Sequence, residues 1–86
     1  MMSDDLSLLG CLRKLEDRTK QGAIEFLRCL KTQGIIVYWS DAWGKLIARS
    51  KSGHRGSWKS FMKEVMVILE IRNKEDWVRI KRKYEL

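Results

Sequence analysis

Proline is absent from all 86 residues. With it goes the strongest helix breaker, so helices are the default reading. Histidine occurs once, at His54, and cysteine twice, at Cys11 and Cys29. There is no CxxC pair and no Cys/His cluster, which leaves no recognisable metal-ligand set and implies no metal or cofactor. Two cysteines do not make a disulfide-dense scaffold. One Cys11–Cys29 bond is an option, and a reducing compartment is the expected setting. No apolar run approaches the length of a bilayer span. The opening MMSDDLSLLG is acidic, unlike the basic start of a signal peptide. The expected location is intracellular, cytoplasmic or nuclear, and neither secreted nor transmembrane.

The most telling absence is local. From Ala42 to Lys63 there is no Asp or Glu. The same window holds Lys45, Arg49, Lys51, Arg55, Lys59 and Lys63, together with His54. A positive surface with no carboxylate nearby attracts polyanions by charge density alone. A second basic cluster, Arg79, Lys81, Arg82 and Lys83, stands near the C-terminal end of the sequence. Residues 1–40 hold six basic and five acidic side chains, against twelve and six in residues 41–86. The net charge of +7 therefore belongs almost wholly to the second half.

What is present suffices for one domain over residues 1–86. The apolar fraction of 44% is too high for a disordered chain. Four Trp, two Tyr and two Phe supply large buried area per residue. Ser3, with Asp4 and Asp5 behind it, reads as a helix start. Leu8, Leu12 and Leu15 follow at helical spacing, and the face continues through Ala23 to Phe26, Leu27 and Leu30. Asp17 and Thr19 offer a second start, so two helices meeting near 17–20 are expected rather than one long one. Gly34 is the expected stop.

Residues 35–49 admit two readings. Ser40 and Asp41 can open a helix that carries Trp43, Leu46 and Ile47 at helical spacing. Alternatively IIVYW pairs with KLIARS as a β-hairpin across SDAWG, which would carry the basic residues on a wing-like ribbon. The helix is preferred, giving an all-α bundle of four to five short helices; the alternative is α+β with the hairpin at about 35–49. Residues 50–57 (SKSGHRGS) read as a basic, flexible loop. Ser57 then caps a helix with Trp58, Phe61, Met62, Val65, Ile68 and Leu69 on its apolar face. Val65 to Leu69 is apolar all round, which places that helix at the bundle centre. Asn73 caps a last helix with Trp77, Ile80 and Tyr84 on one face.

The chemistry this composition offers is binding. No nucleophile elbow, HExxH spacing or phosphate-cradling glycine loop occurs, and the pairs Asp4–Asp5 and Glu75–Asp76 stand where helix dipoles explain them. The chain is expected not to be an enzyme. Lys59 and Lys63, four residues apart, share a helix face, and so do Lys45 and Arg49 if their segment is helical. With Lys51, His54 and Arg55 between them, and Arg79, Lys81, Arg82 and Lys83 in support, they are the candidate nucleic-acid contacts. Trp39 and Trp43 are the candidates for base stacking or partner contact; Trp58 and Trp77 belong to the core. A helix-turn-helix about Gly34 would put Ser40 and Trp43 at buried aliphatic positions, so sequence-specific reading is not expected. The partner is RNA or DNA, the type unresolved. The alternative is a protein-interaction module, an adaptor or inhibitor of viral accessory size, that docks on an acidic protein. Such a module would use the leucine-rich first helix (Leu6, Leu8, Leu9, Leu12, Leu15), which also offers a homodimer seam. Attachment to an anionic membrane surface ranks third.

Overall fold

The computed structural model describes the backbone of residues 3–49 and 58–86 and the side chains of residues 10–49 and 58–86. The stretch 50–57, with Lys51, His54, Arg55 and the expected cap Ser57, lies outside the described residues. The side chains of Leu6, Leu8 and Leu9 do too. Within these limits the element order is α1 (Ser3–Glu16), α2 (Lys20–Thr32), β1 (Ile36–Ser40), β2 (Lys45–Arg49), α3 (Trp58–Leu69) and α4 (Lys74–Tyr84).

The expected break near 17–20 is present and built locally. Thr19, in extended conformation, accepts the Gly22 N–H on its hydroxyl, which starts α2. Arg18 takes the left-handed conformation at φ 54° and donates its N–H to the Leu15 carbonyl, which ends α1. The two helices then fold back as a hairpin. Cys11 and Cys29 meet across it in a disulfide, their Cα atoms 5.5 Å apart. Gly22 lies where the backbones approach closely: a methyl group there would overlap the Lys14 carbonyl oxygen.

Gly34 is the stop that its sequence position suggests. At φ 82° it donates its N–H to the Lys31 carbonyl, while Ile35 N–H reaches the Leu30 carbonyl at 2.9 Å. This is a Schellman ending, with buried Ile35 packed toward buried Leu30. The same pair of bonds ends α3, where Glu70 N–H reaches Val67 and Ile71 N–H reaches Met66. There the left-handed residue is Glu70, at φ 57°, so no glycine marks the stop.

Residues 35–49 are a hairpin, not a helix, and the all-α expectation is corrected to α+β. β1 and β2 pair antiparallel, with Val37 opposite Ala48, Tyr38 opposite Ile47 and Trp39 opposite Leu46. The β-branched and aromatic run 36–39 suits a pleated surface better than a helical one. The turn chemistry decides between the two readings. Ser40 does not cap a helix; its hydroxyl accepts the Trp43 N–H and its carbonyl accepts the Gly44 N–H at 2.7 Å. Gly44 sits at φ 64°, a conformation that costs a glycine nothing.

The centre of the molecule is α2 rather than α3. Ala23, Phe26 and Leu30 are completely buried, with Ile24 and Leu27 nearly so. Around α2 stand α1, the hairpin and α3. α3 buries Met62, Val65 and Leu69, but Val67 is 64% exposed. A helix apolar on every side has here an uncovered face, which corrects its expected central place. Cys11 and Leu15 from α1, Leu46 and Ala48 from β2, Ile71 and α4's Trp77 complete the core. Among the described residues no helix is long and apolar enough to cross a membrane.

Candidate nucleic-acid interface

Strand alternation sets the site. On β2, Leu46 and Ala48 turn inward and are buried, so Lys45, Ile47 and Arg49 fall on the opposite face. Lys45 and Arg49 share a strand face, not the helix face expected of them, because a spacing of four matches two strand periods as well as one helical turn. β2 packs against α3, and the seam is tight enough for Leu46 N–H to reach the Met66 sulfur at 3.5 Å. One turn apart on α3, Lys59 and Lys63 rise along this seam.

The result is a trough between β2 and α3. It consists of two adjoining concavities of about 220 and 670 Å³ that share Lys45, Leu46 and Lys59. Trp43, Ile47, Ala48 and Met62 line the first; Ser60, Lys63 and Met66 line the second. The floor is apolar and the rims carry three ammonium groups. Among the described residues no carboxylate lines either part. Among the described residues, Lys45, Arg49, Lys59 and Lys63 form no ion pair with any acid. Two of these cations lie instead against aromatic rings. Lys45 Nζ stands 5.6 Å from the centre of the Trp43 ring, and the Arg49 guanidinium 5.9 Å from that of Tyr38.

The two tryptophans of the hairpin part company. Trp39 lies opposite Leu46 on the inward face and packs, half-buried, against the core. Trp43, in the turn, is 68% exposed. Asp41 shares that turn, but its carboxylate points to Lys74 on α4, 3.8 Å away. Trp58 and Phe61 meet edge to face at 6.1 Å and Trp77 is buried, so both serve packing.

The second basic cluster does not join the trough. Arg79 is bound to Asp76 one turn earlier on α4. Lys81 lies over the Trp77 ring at 5.9 Å and Lys83 over Tyr84 at 5.4 Å. Asp76 is the hub of this end of the molecule. Its N–H goes to the cap Asn73 and its carboxylate accepts the Arg72 N–H at 2.9 Å. That backbone bond, helped by the Arg79 and Arg72 guanidinium charges, holds its pKa below the ordinary aspartate value despite the opposing effect of burial. The pairing Glu75–Asp76 is thus a helix start, as its sequence position implies.

Three contributions were not evident from the sequence. Met62 and Met66 floor the trough, although Met62 reads only as a core residue and Met66 as part of an apolar run. Ser60, between the two lysines of α3, adds a hydroxyl to the rim. Arg28 and Lys31, on α2, are used at the end of α4, donating to the Tyr84 and Leu86 carbonyls at 2.9 and 3.1 Å. Among the described residues no group of three or more His, Cys, Asp or Glu side chains is placed to hold a metal ion. In comparisons with known proteins, no family model, no curated protein and no solved structure matches this chain.

Proposed function

We propose that this chain is a nucleic-acid-binding protein that grips the phosphate backbone, and not an enzyme. The trough carries the reading: three ammonium groups on one concave seam with no carboxylate among its lining residues. Unpaired cations are the ones free to release counterions from a polyanion, which is the main source of such affinity. Arg49 lies on the same strand, and Lys51, His54 and Arg55 follow it in the sequence, so the footprint extends beyond the trough. α4's cluster is a secondary contributor, since Arg79 already has its carboxylate.

A nucleic-acid partner sets the protein in the cytoplasm or nucleus. There a disulfide lasts only if thiols cannot reach it. Cys11 is completely buried and Cys29 only partly so, which shields one sulfur of the bond more than the other.

A fluorescence-anisotropy titration against duplex DNA, duplex RNA and single strands at several salt concentrations tests the proposal. Neutralising about four to six phosphates gives a log K against log[salt] slope of roughly −3 to −5. Weak binding without salt dependence overturns it. That outcome would turn attention to the second reading, an acidic protein partner. Exposed Trp43 favours that reading, because tryptophan is among the side chains that most often anchor protein contacts.

A further inference from the structure

Resting on the nucleic-acid reading, we infer that the partner is an unpaired strand, with a base stacked on Trp43 and its phosphates on Lys45, Lys59 and Lys63. A duplex shows a protein its phosphates and the edges of its bases, and hides the base faces. A phosphate-only contact would gain nothing from apolar lining, yet half-buried Ile47 and Met66 supply it beside the lysines, above the buried Leu46 and Met62. Unstacked bases are the part of a nucleic acid that seeks apolar and aromatic surface.

Trp43 is built to offer such a surface. It is 68% exposed, and still its backbone is fixed. Buried Ser40 accepts the Trp43 N–H on its hydroxyl and the Gly44 N–H on its carbonyl. The Asp41 carboxylate, which would repel phosphate, is engaged by Lys74. Lys45, 5.6 Å from the ring, places a positive charge beside the stacked base, where the adjoining phosphate comes. The trough then continues from Trp43 past Lys45 and Lys59 to Lys63, the elongated form a strand needs rather than the closed pocket of a small ligand.

Duplex reading fits poorly. It calls for a helix or a two-stranded ribbon whose side chains carry donors and acceptors into a groove. α2 turns its apolar face into the core, and the outward face of the ribbon holds Ile36, Tyr38 and Ile47 between its basic ends.

The test uses the full chain with labelled oligo-dT and oligo-rU strands and a duplex of equal length at one salt concentration. Single strands of either sugar are expected to bind more tightly than the duplex. Trp43→Ala is expected to weaken single-strand binding about 5- to 150-fold, the span measured for one base stack. Duplex affinity and the salt slope stay unchanged, and Trp43→Phe restores part of the loss. Circular dichroism of each variant verifies that the exposed ring was removed without unfolding. Equal affinity for duplex and strand, with Trp43→Ala indistinguishable from the parent, overturns the inference and leaves the backbone-binding proposal standing. No salt-dependent binding to any of the three probes overturns both.

Discussion

The trough and α4 both carry clustered basic residues, and the fold arranges the two clusters differently. In the trough Lys45, Lys59 and Lys63 converge from two elements onto one seam and, among the described residues, find no acid. On α4 the cations stay on their own helix: Arg79 on Asp76, Lys81 over Trp77, Lys83 over Tyr84. Charge count alone does not separate them. What separates them is convergence: the trough brings three ammonium groups from two elements onto one seam with no described carboxylate, so one polyanion can meet all three and release its own counterions, whereas on α4 Asp76 already neutralises Arg79.

The contrast is easiest to break at its foundation. Leu46, 2% exposed, floors the trough and joins it to the core. Leu46→Ala is expected to lower stability by about 2–5 kcal/mol in a urea titration. Val78→Ala on α4, where the side chain is 42% exposed, should stay within about 0.5 kcal/mol. Equal losses would mean that the trough is no better founded than the outer face of α4.

The next largest difference lies in salt dependence. Lys45→Gln with Lys59→Gln and Lys63→Gln is expected to flatten the log K against log[salt] slope on a single strand by about 2 units, at ~0.7 per phosphate contact. Lys81→Gln with Arg82→Gln and Lys83→Gln should change it by less than about 1 unit. A reversal of the two would move the site to α4. Smaller still is the helix start that holds Arg79 in place. Asn73→Ala removes the cap from α4 and should cost about 1 kcal/mol by chemical denaturation, with affinity for nucleic acid unaltered.

The smallest effect is a matter of pH. Asp76 has a lowered pKa in the fold, first through its bond from Arg72 N–H. Its stabilising effect is therefore complete above the ordinary value of 3.8 and disappears as the pH falls through the lower folded value. Urea midpoints taken between about pH 2 and 6 should decline on that acid limb. Asp76→Asn should lose the decline at this site and be less stable at neutral pH. No trough residue is expected to contribute to this limb, because no carboxylate lines it.

Much of the frame was legible from local signals. Thr19, Gly34 and Asn73 mark helix ends through side-chain and backbone chemistry that acts within a few residues, and all three do so in the structure. The hairpin was harder. Trp43, Leu46 and Ile47 fit a helical face, and Ser40 fits a helix cap. The bonds that decide for the turn come from the same Ser40 and from Gly44, so one residue supports either reading until its partners are known. The end of α3 could not be read, because Glu70 takes a conformation for which its side chain gives no cue. The trough was half legible. Its lysines follow from spacing and from the absence of acids, but the pairing of β2 with α3, which brings Lys45 to Lys59, is a tertiary fact. So is the separation of Trp39 from Trp43, four residues apart yet one half-buried and the other in solvent.

Gly22 turns a packing detail into a rule about inheritance. Because any side chain there meets the Lys14 carbonyl, and because the Cys11–Cys29 bond keeps the two helices from spreading, the first helical hairpin cannot absorb a larger residue by loosening. A library of every amino acid at position 22, sorted for folded protein, should return a single letter. The exposed positions of the trough rim would accept many, and only a selection for binding would narrow them.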